Sequence, residues 1–193
     1  MALSNLNLTN NGQTTNFQVQ YETSLPSQAN VIANANALLG LLENEFTVTT
    51  GKGWFNTPSG KFGTTNRQIV NLNQLTGTGA VNNGYGKPIN MDSQNTNSNV
   101  IQAAGILGMI FINEWVEILM SLTGGKWNAG DSSGEALSQY SGIVRFQTGH
   151  YNYYLSFVDQ WLNNHPRQDW VNNTKPTDAD QTSYGCALAF ISI

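Results

Sequence analysis

The sequence predicts an α+β fold, in which a small antiparallel or mixed sheet packs on a buried central helix and further helices follow towards the carboxyl end. Three observations lead there. Segments with the two-residue alternation of strands fall in the first half of the chain, one long apolar helix lies near the middle, and helical spacing dominates the remainder. At 193 residues the chain is long enough to bury a sizeable core as one domain. It has no repeat of fixed period and no second boundary. The expected division is a flexible segment over 1–16 and a single domain over 17–193.

Residues 1–16 are polar and aperiodic, as a loose lead is. "FQVQYETSL" then alternates, with Phe17, Val19 and Tyr21 on one face and Gln18, Gln20 and Glu22 on the other, the period of a half-buried strand. Pro26 and Ser27 open a helix in which Val31, Ala35, Leu38, Leu39, Leu42 and Phe46 recur at helical spacing, ending before Gly51. From Gly51 to Met91 the chain is rich in Gly, Asn and Thr. There "RQIVNLNQL" and "KPINM", separated by turn signals such as "NNGYG", read as antiparallel strands or a hairpin.

Beyond the polar "DSQNTNSN", the segment Val100 to Leu122 is apolar nearly all the way round and carries no charge before Glu114. Its apolar stretch, Val100 to Ile112, is shorter than the roughly 20 residues that span a bilayer, which predicts a buried central helix and no membrane span. "GGKWNAGDSSG" ends it. Two helices follow, one through Leu137, Tyr140, Ile143 and Val144 and one through Tyr154, Leu155, Val158, Trp161 and Leu162, joined near Gly149. Pro166 and Pro176 punctuate a loop, after which Asp178 or Asp180 caps a short terminal helix.

Charged residues make up 10% of the chain, against roughly 25% in an average soluble domain. Eight Lys and Arg stand against twelve Asp and Glu with no basic run, so the footprint that a phosphate backbone needs is missing and nucleic acid is not an expected partner. Low charge also favours self-association, which keeps a homo-oligomer open. The start, "MALSNLNLTNNGQTTN", has neither the basic nor the apolar region of a cleavable signal. The expectation is a cytoplasmic protein or one exported by a signal-independent route. The single cysteine, Cys186, lies in the apolar "YGCALAFISI" and reads as a small buried hydrophobe.

The chemistry of interest lies in "FINEWVEILM", where Glu114 and Glu117 interrupt the most apolar helix. An ionised carboxylate buried alone is prohibitively costly, so both must reach water, find partners or hold protons. One reading has them mark the point where the helix leaves the core. Helical spacing also places Glu114 beside Glu117, and Asn113 beside Glu117. The pattern resembles that of zincin-like metallopeptidases, in which H-E-x-x-H supplies two zinc-binding imidazoles one turn apart and a general-base glutamate between them. Here the five residues are Asn113, Glu114, Trp115, Val116 and Glu117: the base position is kept and both histidines are replaced.

In one zincin subgroup a glutamate from a later helix is the third ligand, and Glu135 in "SSGEALSQY" is its counterpart. The tail, "RQDWVNNT" with "TDADQTSYGCALAF" after it, resembles the ends of uncharacterised bacterial zincin-like proteins, many without an intact zinc motif. The resemblance spans roughly Phe17 to Ile193. It implies a zincin-like domain with no catalytic metal and no cofactor, a pseudoenzyme acting as a non-catalytic binding or structural protein. Asn113, Glu114, Glu117 and Glu135 would line the remnant cleft, with His150 as an outside candidate. Asparagine is a poor zinc ligand, and amide and carboxylate oxygens suit hard cations better. The alternative is an atypical metal-dependent peptidase or amidase with Glu114 as general base on a metal-bound water.

His150, in "TGHYNYY", reads either as a hydrogen-bonded structural residue or as a ligand, and His165 as a surface residue. No G-x-S-x-G elbow occurs, and "GKGWFNTPSGKFG" lacks the spacing of a phosphate loop, so its glycines serve turns. Trp54, Tyr85, Trp127 and Tyr151, amid many Asn and Gln, pack as ordinary rings or form a platform for sugars. A third function class follows: a carbohydrate-binding or self-associating secreted protein. Expected partners are thus a protein or a glycan.

Overall fold

The structure, a computed structural model, describes residues 7–51, 54–75, 79–93, 100–124, 131–147, 151–164 and 181–191. Strands β1 (Leu8–Gln13) and β2 (Phe17–Glu22) precede helix α1 (Gln28–Phe46); β3 (Gln68–Asn73), β4 (Ala80–Val81) and β5 (Ile89–Asp92) precede α2 (Val100–Thr123), α3 (Ser132–Arg145), α4 (Tyr151–Asn163) and α5 (Gln181–Ile191). The fold is α+β, with one mixed five-stranded sheet in the order β1-β2-β3-β5-β4.

The alternation of β2 is realised: Phe17 and Val19 are buried in the core, while Gln18 and Gln20 on the other face are partly exposed. β2 and β3 are parallel, and α1 supplies the crossover that parallel neighbours require. The expectation of an antiparallel hairpin for the next two strands is corrected. β3 and β5 run parallel, with Val70 opposite Ile89 and Leu72 opposite Met91, and the two-residue β4 returns antiparallel along the edge beside β5. The reason is burial on both faces, which suits parallel strands. Val70, Leu72, Ile89 and Met91 face the core, and Asn71, Asn73 and Asn90 are also buried, with Asn71 and Asn73 donating to Asn90 Oδ1 at 3.0 and 3.2 Å.

Residues 8–13, expected to be part of a flexible lead, instead form β1, antiparallel to β2. An edge strand needs little apolar content, because backbone pairing holds it and much of it meets water. Leu39 of α1 packs closely over Gly12, where any Cβ would overlap it.

α1 buries Val31, Ala35, Leu38 and Leu42 and runs on into a π-helical turn, Thr47–Gly51. Asn113 apart, every residue of α2 from Leu107 to Ile112, and Trp115, Val116, Ile118 and Leu119 beyond, is an apolar residue or Gly108 in the interior. By length and composition Gly105–Thr123 is apolar enough to cross a membrane, but in this fold it is mostly buried, and α2 packs against α1, α3, β4 and β5. Phe17 meets Phe111 and Trp115 edge-on at 5.6 and 5.2 Å, and Phe62 meets Trp115 at 4.9 Å. The indole N–H of Trp115 donates to Thr49 Oγ1 at 3.0 Å, so its one polar atom is satisfied in the core.

A second, smaller cluster joins α3, α4 and α5 through Ala136, Ile143, Phe157, Ala187 and Leu188. Cys186 is buried beside it, as its apolar context implied. The joint near Gly149 and the candidate caps Asp178 and Asp180 lie outside the described residues.

Candidate functional site

Apolar side chains occupy most of the circumference of α2 at the level of Trp115, which leaves the glutamates one seam: between the end of β4 and the first turns of α3. Pleating directs Ala80 of β4 into the core and Val81 away from it, so that Asn82 turns back towards α2. Its Nδ2 donates to Glu114 Oε2 at 2.9 Å and to Glu117 Oε2 at 2.8 Å. The other end of the amide accepts from the backbone N–H of Gly84 at 3.0 Å, which fixes the orientation of the side chain. One turn residue therefore clasps both carboxylates of the helix.

α3 closes the seam from the other side. The side chain of Glu135 lies beside that of Glu117, as a hydrogen-bonding neighbour that favours its ionised form. Ser138 lies one turn after Glu135, with its Oγ 3.2 Å from Glu117 Oε1 and 2.9 Å from the carbonyl of Glu135. Having a single hydroxyl proton, Ser138 can serve only one of these acceptors at a time. Burial first, and the charge of Glu114 second, push the Glu117 carboxyl up to about 7, against the opposing hydrogen bonds from Asn82, Ser138 and Glu135. The cluster can therefore take up and release a proton near neutral pH, the range in which general acids and bases operate.

The structure brings together Glu114, Glu117 and Glu135, three of the residues singled out in the sequence. Asn113 stands apart from them. It is buried, its Nδ2 donates to the carbonyls of Met109 and Ser138 at 3.0 Å each, and its Oδ1 accepts from the Tyr154 hydroxyl at 3.0 Å. Its amide is thus a tie between α2, α3 and α4 with every end in use. Gly142 makes room for it, since a Cβ there would overlap the Asn113 side chain. Among the described residues, no group of three or more His, Cys, Asp or Glu is arranged to hold a metal ion. His150 lies outside the described residues.

Sequence reasoning missed Asn82, Ser138 and Tyr154. Ser138 had a usable signal, three positions after Glu135 and so on the same helical face. Asn82 had none beyond its place in a turn. Of the aromatic residues weighed as a sugar platform, Trp54 and Tyr85 are exposed, but Tyr85 packs edge-on against Phe62, and the ammonium of Lys61 sits 5.0 Å from its ring centre. Trp127 and the side chain of Tyr151 lie outside the described residues. Searches against protein-family models and against curated proteins find no match to this chain.

Proposed function

We propose that this chain is a zincin-like domain without a catalytic zinc site, acting as a non-catalytic binding or structural protein. The observation that carries the reading is the fate of the two positions where the zincin pattern has imidazoles. At the first, three of the four hydrogen-bonding capacities of the Asn113 amide are spent on Met109, Ser138 and Tyr154. At the second, Glu117 is held by Asn82, Ser138 and Glu135. Both positions therefore carry groups tied into the protein's own hydrogen bonds in place of imidazoles. Glu114, at the general-base position, is held by the same Asn82 amide.

A seam of three carboxyls and one amide offers mainly acceptors. It suits a ligand rich in donors, such as an ammonium or guanidinium group of a protein partner or the hydroxyls of a glycan. Elemental analysis of protein purified without chelator, paired with wild type and Glu114→Gln assayed on a peptide panel, tests the reading. The expected result is no stoichiometric transition metal and no hydrolysis that depends on Glu114. A stoichiometric metal with Glu114-dependent hydrolysis overturns it in favour of the peptidase or amidase alternative.

A further inference from the structure

The "NNGYG" turn carries an Asn-Gly pair, Asn83–Gly84, directly after the residue that clasps the carboxylates. We propose that Asn83 is a site of spontaneous deamidation, that the Asn82 clasp gates the reaction, and that the product alters the carboxylate seam. The proposal stands whether the seam binds, catalyses or does neither.

The chemistry needs three things: an exposed side-chain amide, an unhindered backbone nitrogen on the next residue, and freedom for the two to meet. Asn83 is exposed, and its side chain takes no hydrogen bond among the described residues. Gly84 has no side chain to obstruct its nitrogen, and its φ of 88° places it in a turn region that glycine adopts without strain. In the reaction the Gly84 nitrogen, losing its proton to water, attacks the Asn83 side-chain carbonyl carbon. A carbon–nitrogen bond forms to that nitrogen, the bond to the side-chain nitrogen breaks, and ammonia leaves with the proton. Water then opens the cyclic imide at either carbonyl, giving aspartate or isoaspartate at position 83.

The gate lies in the Gly84 N–H, which donates to Asn82 Oδ1 at 3.0 Å. That bond must open before the nitrogen can attack, while the other end of the Asn82 amide is anchored on Glu114 and Glu117 at 2.9 and 2.8 Å. Release of the clasp and reaction at Asn83 are therefore linked. Isoaspartate adds a methylene to the backbone between Asn82 and Gly84, which breaks the same hydrogen bond permanently, and either product sets a new negative charge near two existing carboxyls.

The chain contains an internal control. Asn11–Gly12 is also an Asn-Gly pair, and its Gly12 N–H likewise donates to the preceding Asn10 Oδ1, at 3.1 Å, but it lies at the bulge of β1 with Gly12 opposite Val19 of β2, and the Asn11 amide is itself held, donating to Asn36 Oδ1 at 3.0 Å. Purified protein is aged at 37 °C and mildly alkaline pH and followed by peptide mapping with mass spectrometry. Asn83 is expected to lose most of its amide, as an aspartate and isoaspartate mixture, while Asn11 keeps its own. Asn82→Ala should speed the loss at Asn83 several-fold, and Asn83→Gln should abolish it. Equal survival of the two asparagines overturns the site, and an unchanged rate in Asn82→Ala overturns the gate.

Discussion

Two buried carboxylates in this protein solve the same problem in opposite ways. Glu45, near the end of α1, is almost wholly buried and meets Arg145 of α3 through a two-pronged pair, Nε to Oε2 at 2.7 Å and Nη2 to Oε1 at 2.8 Å. Its charge is matched by a cation of ideal fork geometry. Glu117 has two other carboxyls, an amide and a hydroxyl around it, and its burial is met by a proton instead. The first arrangement is an ion pair. The second changes charge near neutral pH, so the two regions separate a structural use of a buried acid from one poised to respond.

The largest effect is expected at the matched pair. Arg145→Met leaves Glu45 buried without its cation, a loss of about 3–5 kcal/mol in urea unfolding at pH 7. A loss no larger than that of an exposed surface pair, below about 1 kcal/mol, would mean that water reaches Glu45 and that the contrast between the two regions is not one of burial.

At the second region the sign reverses. The Glu117 carboxyl lies at about 7 when folded, against an ordinary value of 4.5, so the folded state binds its proton more tightly than the unfolded chain. The stability this contributes is fully present below 4.5 and is lost as pH rises through about 7. Glu117→Gln keeps the uncharged shape. It should stabilise the protein at pH 9 on the order of 2–3 kcal/mol, and change little at pH 4.5. Destabilisation by the same substitution at pH 9 would show that the ionised carboxylate is held by a partner and carries no penalty.

The sequence made one of these regions visible and hid the other. Glu114 and Glu117 declare themselves because charge on an apolar helix is locally anomalous, and the three-residue spacing is enough to pair them. The alternation of β2 and the apolar length of α2 are local in the same way. Glu45 and Arg145 are 100 positions apart and look like ordinary helix-surface charges until the fold brings them together. Asn82 lies 32 positions from Glu114 in a segment whose composition speaks only of turns. β1 was hidden because pairing along a sheet edge is made by the backbone, and the parallel β3–β5 pairing because strand direction depends on distant connections. Asn113 was legible as part of a helical face but not as a tie between helices, since Tyr154 and Ser138 come from two later helices.

The tie beside the seam gives an intermediate effect. At Gly142 an added Cβ would overlap the Asn113 amide and press on the Met109 carbonyl. Gly142→Ala is therefore expected to cost about 1–3 kcal/mol through overpacking. The loss should be independent of pH, which separates it from the Glu117 effect in the same urea titrations at pH 4.5 and 9. A pH-dependent loss would place Asn113 in the proton-holding cluster after all.

The smallest effect concerns a third carboxylate, Glu43, which among the described residues is held by hydrogen-bond donors and not by a cation. Burial would raise its pKa, but hydrogen bonds from Thr14, Asn16 and Thr15 outweigh that and hold it below its ordinary 4.5. The backbone N–H and side-chain amide of Asn16 donate to its two oxygens at 2.6 and 2.8 Å, which secures the β1–β2 turn to α1. Its contribution is present above 4.5 and is lost as pH falls through the lower folded value, the opposite slope to that of Glu117. Glu43→Gln should flatten only the acid limb of the stability–pH curve, and Glu117→Gln only the limb rising to neutral pH. If one substitution moved both limbs, the carboxylates would be titrating as a single coupled set and the seam would extend across α1.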